Sequence, residues 1–335
     1  AELVTSEGRN ALLNATSLVS KLDSRLDVVY GDTDSVMINL SFASTLSEVQ
    51  QVAKSIKDAI NKCYKTLEID VDGVFRKLLL LRKKKYAALR IVDYMGKGDQ
   101  MEREIKGIDL VRREWCPLSK QICSEIIDII LSIAQTGSVW GSIEAYLQSV
   151  VEKIDDGDVK LEDFIITKAL NRDPEDYANP LDHPHVCVAM RMKELNLSVQ
   201  VGDLIPYIVC LPSDPEETKS AKKLSANCYH PHEVYNKGLK VDVSWYKKIQ
   251  LYTPIMRLLE YVSQCDTTFI AKIFGVVNAS GAQRLSRAYA PSICSQKLTA
   301  EELLDMPEVA FPDVKHLIVR CPDISCQSSI DVLPH

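Results

Sequence analysis

Two aspartates, one residue apart, are the side chains in this sequence best suited to metal chemistry. They lie in the run Tyr30-Gly31-Asp32-Thr33-Asp34-Ser35, where two β-rich stretches flank a tight turn and predict a hairpin. One Asp at a turn commonly bonds the backbone of that turn. Two carboxylates at one rigid point are costly unless a cation neutralises them, and ligands that are all oxygen suit Mg²⁺. Asp32 and Asp34 are therefore predicted magnesium ligands, and Mg²⁺ held by carboxylates serves phosphoryl and nucleotidyl transfer.

A basic stretch follows the two aspartates in an otherwise acidic chain. The 335 residues carry a net charge of −6, but residues 76–120 contain 13 Lys or Arg against six Asp or Glu. That stretch therefore has a net charge of +7 and leaves −13 for the remainder. Because charge is screened within about 10 Å, a local basic surface can bind nucleic acid on an acidic protein. The alternative is a solvated run of charge, or lysines that guard an exposed strand edge.

Four segments, in this order along the chain, resemble motifs of the family-B DNA polymerases. The run at residues 30–35 resembles the third catalytic palm motif of that family. Residues 82–89 (RKKKYAAL) resemble its lysine-tyrosine motif, and residues 106–116 (KGIDLVRREWC) resemble its palm-to-thumb junction. The fourth segment fits a pattern near the end of the thumb and comprises Asp242, Tyr246, Gln250, Pro254 and Arg257.

Within the family, two further segments resemble the alpha subfamily of eukaryotic replicative enzymes. They are residues 67–75 (LEIDVDGVF) and the leucine run at 78–81. Trp115 also fits the alpha subfamily, whereas Pro117-Leu118 leans toward the delta subfamily.

The resemblance implies that the parent protein is a DNA-directed DNA polymerase with a two-metal mechanism. Asp34 would coordinate two Mg²⁺ ions, and Asp32 would lie beside them as an occasional ligand. The family's other essential carboxylate belongs to a separate upstream motif, and no match to that motif occurs in these 335 residues. We therefore expect the chain to be the C-terminal part of a longer polymerase and to be inactive alone.

The resemblance also assigns the basic residues to the backbone of a primer–template duplex. The residues implied as DNA-binding are Lys83, Lys84, Lys85, Tyr86, Lys106, Gly107, Arg112 and Arg113. Phosphate contacts of this kind hold the register of the duplex without reading its sequence.

Further partners follow from the alpha resemblance alone. They are deoxynucleoside triphosphates, an RNA–DNA primer, primase subunits and an accessory B subunit, in the nucleus. No membrane partner is expected, because the most apolar stretch, residues 126–134, is interrupted by Asp128 and is too short to span a bilayer. The alternative is a non-catalytic polymerase-like module that binds DNA or scaffolds a replisome. Intact Asp32 and Asp34 favour the enzyme for the parent protein.

The ten cysteines show no regular framework, and we interpret most of them as free thiols that pack as small apolar residues. Cys321 and Cys326 are the exception, because their position matches the start of a cysteine-rich module in the alpha subfamily. A zinc site takes four ligands, so this pair is either half of a Zn²⁺ site or two ordinary cysteines.

The elements that must position these residues predict an α+β fold. Residues 1–110 are expected to form part of a polymerase palm, an antiparallel sheet with helices that carries the catalytic hairpin. Residues 111–277 are expected to form a mainly helical thumb, and 278–335 a linker and a truncated, irregular cysteine-rich region. Apolar periodicity predicts helices over 6–24, 45–65, 117–135, 139–154 and 245–264, and strands over 26–30, 35–40, 67–70, 78–81 and 86–92.

Two histidine pairs are candidates for metal or acid–base sites. His183 and His185 flank a proline beside the apolar run at residues 186–189, which we interpret as the start of a strand. His230 and His232 have a similar spacing but no identifiable partner ligands. We predict a structural role for both pairs.

Overall fold

The computed structural model describes most of the chain and confirms the α+β class. The described residues are 2–96, 98, 100–108, 113–133, 138–212, 224–260, 262, 264–276, 317–320 and 329–332. They form α-helices, short 3₁₀ turns and small antiparallel sheets. No helix within these ranges has the length and apolar character needed to cross a bilayer.

The chain divides into two compact units. The first, unit 1, comprises Ala1–Arg76, Arg90–Glu102 and Ser292–His335. The second, unit 2, comprises Lys77–Leu89 and Arg103–Pro291.

Unit 1 contains the predicted catalytic hairpin and two helices. Its elements up to residue 61 are α1 (Glu2–Leu22), β1 (Asp27–Asp32), β2 (Ser35–Asn39) and α2 (Leu46–Asn61). The hairpin and both helices were predicted, although α1 begins four residues before the expected start at Ser6. The helix runs through Thr5 and Ser6 to Glu2, a segment that contains no proline to stop it.

A small apolar core holds α1 and α2 against the strand β1. Ala15 and Val19 of α1, Leu26 before β1, and Ile56 and Ile60 of α2 are buried together. Burial of one such side chain stabilises the fold by roughly 1.5–3 kcal/mol. The base of the hairpin is therefore fixed by packing.

A reciprocal capping box begins α2. Thr45 Oγ1 accepts a hydrogen bond from the Glu48 amide at 3.2 Å, and Glu48 Oε2 accepts one from the Thr45 amide at 3.3 Å. This reciprocal pair satisfies two amides that a helix start otherwise leaves unpaired.

The predicted strand over residues 67–70 is wrong. This segment has no ladder partner, and the side chain of Asn61 at the end of α2 serves its backbone instead. Asn61 Oδ1 accepts from the Ile69 amide at 2.8 Å, and Asn61 Nδ2 donates to the Ile69 carbonyl at 3.1 Å. A side-chain amide thus replaces the neighbouring strand that the β-rich sequence had suggested.

Three antiparallel strands carry the lysine-tyrosine segment. They are β3 (Val74–Arg82), β4 (Lys85–Ile91) and β5 (Met101–Lys106), hydrogen-bonded in that order. The strands predicted over 78–81 and 86–92 are confirmed. The division of the chain into two units passes through these strands.

Unit 2 is mainly helical, with a second small sheet. Its α-helices are α3 (Pro117–Leu131), α4 (Val139–Asp155), α5 (Pro184–Glu194), α6 (Pro231–Lys237), α7 (Val243–Trp245), α8 (Tyr252–Leu259) and α9 (Thr267–Ile273). Its short strands are β6 (Ile166–Ala169), β7 (Leu204–Val209) and β8 (Cys228–Tyr229), paired in that order. The 3₁₀ turns are Leu161–Phe164, Pro174–Asp176, Pro180–Asp182 and Leu224–Asn227.

The core of unit 2 is formed largely by α3, α4 and the helical stretch near residue 250. Its largest fully buried side chains are Tyr246, Phe274, Ile122, Ile126, Ile127, Ile143, Leu147, Ile166, Leu170, Ile205, Ile208 and Leu251. Pro117 occupies the first position of α3, and Ser138 caps α4 by accepting from the Gly141 amide at 3.4 Å. The helix predicted over 139–154 is confirmed, and the one predicted over 117–135 is confirmed as far as its end at Leu131.

The helix predicted over 245–264 is a composite. A π-helical segment, Tyr246–Leu251, joins α7 to α8. Tyr246 is fully buried at the start of that segment, where its hydroxyl donates to the Phe164 carbonyl at 2.7 Å and accepts from the Val209 amide at 3.1 Å. These two bonds fasten the composite helix to the core of unit 2.

The described part of the C-terminal region is one strand pair, β9 (Leu317–Arg320) and β10 (Ser329–Val332). The strands are antiparallel, with Ser329 opposite Arg320 and Val332 opposite Leu317. The rest of the predicted linker and cysteine-rich region, including Cys321 and Cys326, lies outside the described residues.

The predicted strand at residues 186–189 is wrong, because those residues belong to α5. Pro184 is the first residue of that helix, a position whose missing amide and fixed φ suit proline. All five residues from His185 to Ala189 are buried. A helix that is buried on every side shows no polar face, so its 3.6-residue period is invisible in the sequence.

His185 is a buried histidine whose surroundings favour the neutral ring. His185 is 2% exposed. The centroid of its ring lies 6.1 Å from that of Tyr177 and 5.9 Å from that of His183, and both ring pairs are edge-on. Burial, together with the nearby Lys168 and His183, lowers the pKa of His185 from 6.5 to about 4. Protonation of this side chain is therefore unfavourable in the folded chain.

We expect unfolding experiments to show an acid-labile component from His185. Between pH 6.5 and 4 the unfolded state binds a proton that the folded state does not, so stability falls as the pH falls through this interval. The loss should reach about 1–3 kcal/mol, measured by urea unfolding at several pH values. The variant His185→Phe cannot take up the proton and should show a flatter profile. Identical slopes for the two proteins would contradict this assignment.

Candidate active-site hairpin and nucleic-acid interface

The hairpin of unit 1 places both predicted metal ligands at its tip. In the antiparallel register, Tyr30 lies opposite Met37, Gly31 opposite Val36, and Asp32 opposite Ser35. Only Thr33 and Asp34 form the connecting turn, so the predicted turn was too long. Thr33 has φ = 50°, a left-handed conformation that tight hairpin turns require.

Burial falls steeply along the hairpin toward the carboxylates. Tyr30 is 4% exposed and Gly31 is buried, whereas Asp32 is half-buried and Asp34 is exposed. A register irregularity between Val28 and Tyr30 marks a β-bulge just before this point. Bulges re-aim the side chains that follow them and occur often beside active sites.

Local hydrogen bonds hold the turn together. Thr33 Oγ1 donates to Asp32 Oδ1 at 3.2 Å, and Ser35 Oγ donates to the Asp32 carbonyl at 3.2 Å. The Asp34 amide also donates to the Asp32 carbonyl. The Asp34 carboxylate takes part in none of these bonds, which leaves its oxygens to an external ligand.

The donors at this tip fit Mg²⁺ in type but not in number. Carboxylate oxygens are ligands that Mg²⁺ takes in phosphoryl-transfer sites, alongside substrate phosphates and water. Within the described residues, however, no three His, Cys, Asp or Glu side chains gather into a group that could hold a metal ion. Asp32 and Asp34 could therefore serve as part of a metal site that takes further ligands from elsewhere.

In unit 2, the structure brings two of the predicted DNA-binding segments together at the turn between β3 and β4. Lys83 and Lys84 form that turn and are exposed, and Lys84 has φ = 61°. Gly107, with φ = 62°, approaches so closely that a Cβ there would overlap the Lys84 carbonyl oxygen and lie 3.4 Å from Lys85 Cγ. Only glycine fits this contact between the two segments.

A carboxylate that the sequence analysis did not single out lies among these basic residues. Tyr86 donates its hydroxyl to Glu104 Oε1 at 2.7 Å, and Lys106 Nζ lies 3.9 Å from the same oxygen. The Lys106 side chain is 61% exposed and that of Glu104 only 20%. Glu104 and Lys106 are two residues apart on β5 and so share one face of the strand. The alternation of side chains along a strand was therefore the sequence signal that could have identified Glu104 as a neighbour of Lys106.

The palm-to-thumb segment is fastened immediately after its paired arginines. Arg113 is exposed, and Arg112 lies outside the described residues. The Cys116 amide donates to Gln250 Oε1 at 3.1 Å in a buried bond. The Arg257 guanidinium lies 5.9 Å from the centroid of the Trp115 ring. Two residues of the predicted thumb pattern thus contact the junction segment directly.

The described cysteines support their interpretation as packed thiols. Seven are free, and five of these are buried: Cys116, Cys123, Cys187, Cys210 and Cys228. Burial raises the pKa of Cys116 to about 11 and that of Cys228 to about 12, so both remain protonated. Thiols in this state are poor nucleophiles and poor metal ligands.

Comparison with known proteins places the chain among DNA polymerases. The model of the DNA polymerase family B matches residues 1–262. The DNA polymerase alpha catalytic subunit of Leishmania donovani is 40% identical over 342 aligned residues, which cover 100% of this chain and 24% of that protein. The subunit of the same name from Trypanosoma brucei brucei is 43% identical over 264 residues, 78% of this chain and 19% of that protein. The chain thus spans about a quarter or less of these relatives.

A solved structure agrees in fold. The family B DNA polymerase from the hyperthermophilic archaeon Pyrobaculum calidifontis superposes with a TM-score of 0.57 at 23% identity, over 78% of this chain and 30% of that one. The sequence resemblance to family B and to its alpha subfamily is confirmed by these relatives. On the family match over residues 1–262, which contains the aspartate hairpin and the basic segments, the chain belongs to DNA polymerase family B.

Proposed function

We propose that this chain is the part of an alpha-type DNA-directed DNA polymerase that supplies the aspartate hairpin and a duplex-binding surface. The reaction would be template-directed nucleotidyl transfer to a primer 3′-hydroxyl. The observation that carries the proposal is the pair Asp32 and Asp34 at the tip of a hairpin, in a chain that belongs to family B. Family membership gives the reaction class, and the intact carboxylates give this chain a part in it.

Asp34 and Asp32 are the residues that would hold Mg²⁺. Bound Mg²⁺ would lower the pKa of the primer hydroxyl and neutralise charge on the triphosphate and the leaving pyrophosphate. The contribution of the chain is preorganisation: the buried Tyr30 and Gly31 fix the strand that leads into the turn, and the bonds around Asp32 fix the turn itself. Fixed carboxylates need not reorganise as charge develops in the transition state.

The duplex would lie on the basic cluster of unit 2, defined here as Lys83, Lys84, Lys85, Tyr86, Lys106, Gly107 and Arg113, with Arg112 in the same segment. The exposed lysines at the β3–β4 turn and the largely exposed Lys106 offer charge to phosphates. Gly107 holds that turn close to the end of β5. Contacts to phosphates alone suit an enzyme that must copy any sequence.

We extend the proposal to the substrates and partners implied by the alpha resemblance. These are deoxynucleoside triphosphates, primer–template DNA and RNA–DNA primers made by primase, with primase subunits and an accessory B subunit in a nuclear complex. In support, two relatives that this chain matches over 24% and 19% of their own length are named DNA polymerase alpha catalytic subunit. Cys321 and Cys326 are proposed as half of a Zn²⁺ site in the complete C-terminal region.

A second candidate is a non-catalytic DNA-binding or replisome-scaffolding module. One observation favours it for this chain taken alone: the described residues hold no group of three metal-ligating side chains. The two candidates differ in whether the aspartates are needed for the parent protein to function.

We expect the 335-residue chain by itself to show no template-dependent primer extension with Mg²⁺. Two carboxylates do not complete a two-metal site, and the sequence contains no match to the family's other carboxylate motif. The assay is extension of a labelled primer–template. Extension that disappears in the Asp34→Asn variant would show that the chain is sufficient and would overturn this expectation.

In a longer polypeptide that contains this chain and is active, Asp34→Asn should reduce the rate of primer extension by about a thousandfold. A metal ligand contributes several kcal/mol of transition-state stabilisation, and each 1.36 kcal/mol is tenfold in rate. Asp27→Asn is the matched control, because Asp27 is exposed at the start of β1, at the end of the hairpin away from Asp34. Equal rates for both variants would favour the scaffold candidate.

We expect duplex binding by the chain to weaken steeply with salt and to depend on the basic cluster. Lys84→Gln should reduce the magnitude of the slope of log affinity against log salt by about 1, because one phosphate contact is lost. Lys153→Gln is the control of equal charge change, since Lys153 is exposed on α4. Fluorescence anisotropy with a labelled primer–template measures both slopes. Equal slopes in the two variants would mean that Lys84 belongs to a solvated face.

A further inference from the structure

The thumb pattern singled out in the sequence has no role in the proposed chemistry, yet the structure gathers it into one helical stretch. Asp242 caps α7 by accepting from the Trp245 amide at 2.9 Å, and the pattern continues through the π segment into α8. Its remaining members are Tyr246, Gln250, Pro254 and Arg257. Their spacing of three or four residues places them along neighbouring turns of the stretch.

Gln250 makes a buried contact with a residue that is distant in the sequence. The residue is 7% exposed, and its Oε1 accepts from the Cys116 amide, 134 residues away, at 3.1 Å. Cys116 is the residue immediately before α3, and its side chain makes no capping hydrogen bond to that helix. A buried amide left without an acceptor is costly, so this pairing fixes the start of α3.

Arg257 contacts the residue next to Cys116. Its guanidinium carbon lies 5.9 Å from the centroid of the Trp115 ring, within the range of a cation–π interaction. Gln250 and Arg257 are seven residues apart, about two helical turns. Two consecutive residues of the junction are therefore held from one helical stretch.

The helical stretch is itself anchored. The buried Tyr246 hydroxyl bonds the Phe164 carbonyl and the Val209 amide, which belong to the core of unit 2. The π-helical segment lies between Tyr246 and Leu251, and π-bulges inside helices are frequently found at functional sites. Residues 115–116 are thus tied through Gln250 and Arg257 to a fixed part of the fold.

Arg113 stands two residues before Trp115 and is exposed. A long cation that must meet a phosphate loses less conformational freedom if its backbone is already ordered. We propose that Gln250 and Arg257 are positioning residues that order the backbone at Arg113 for contact with duplex phosphates. This inference rests on the proposed function, in which Arg113 contacts DNA. Neither Gln250 nor Arg257 touches DNA in this scheme.

A double-mutant cycle on duplex affinity tests the inference. The variants of the 335-residue chain are Arg113→Gln, Gln250→Leu and the double substitution, and the measurement is the Kd for a labelled primer–template at low salt. Loss of one phosphate contact weakens binding about threefold to tenfold. We expect that loss for Arg113→Gln in the wild-type background, and less than about twofold in the Gln250→Leu background, since contacts that act as a unit are not additive. Arg257→Leu should reduce the Arg113 effect in the same way.

Tyr246→Phe provides the matched control for a general loss of stability. It removes two buried hydrogen bonds from the same helical stretch but leaves both contacts to residues 115–116 in place. Arg113→Gln should keep its full effect in this background. Urea unfolding of every variant establishes that the affinities are measured on folded chains.

Three outcomes would overturn the positioning role. An equal Arg113 effect in the wild-type and Gln250→Leu backgrounds overturns the positioning role while leaving the proposed function intact. An Arg113 effect that shrinks equally in Tyr246→Phe shows general destabilisation and also overturns that role. No effect of Arg113→Gln in the wild-type chain overturns the proposed duplex contact, and the positioning role falls with it.

Discussion

The paired strands of the hairpin are the constraint on which the candidate active site depends, because they fix the backbone that carries Asp32 and Asp34. That backbone is held by the ladder between β1 and β2, by the buried Tyr30 two residues before Asp32, and by hydroxyl bonds from Thr33 and Ser35 around the turn. Carboxylates whose backbone is ordered in advance lose less conformational freedom when they bind a cation.

The basic cluster obeys a different constraint, which is steric. Lysines repel one another less when they are exposed, so their placement depends on the backbone beneath them. Here that backbone is shaped by Gly107, whose lack of a side chain lets the end of β5 meet the Lys84 carbonyl. Glu104 adds a single negative charge that bonds Tyr86 and lies near Lys106. The surface is therefore net positive but internally ordered.

Periodicity in the sequence predicted the helices with a polar face and the hairpin with a clear turn. It failed where burial or a side-chain bond replaced the usual signal. The helix α5 is buried at all positions from His185 to Ala189, and the β-rich residues near Ile69 are satisfied by Asn61. The aspartate pair was predictable because only Thr33 separates its two members in the sequence. The contacts of Gly107 with Lys84, and of Gln250 with Cys116, were not, because spacing alone does not say which distant backbones meet.

Exposed charged side chains and buried neutral groups have different roles in this chain. Four of the residues proposed to meet DNA, Lys83, Lys84, Lys106 and Arg113, are exposed and ionic, and each such contact in water contributes little unless its geometry is fixed in advance. Two of the groups that fix geometry are neutral and buried, the Tyr246 hydroxyl and the Gln250 amide, and a third constraint is the close approach of the exposed Gly107 to the Lys84 carbonyl. A buried polar group without a partner is costly, so these contacts have few alternative arrangements. An acidic protein can in this way present one ordered basic surface, since what its binding requires is local order rather than a positive total charge.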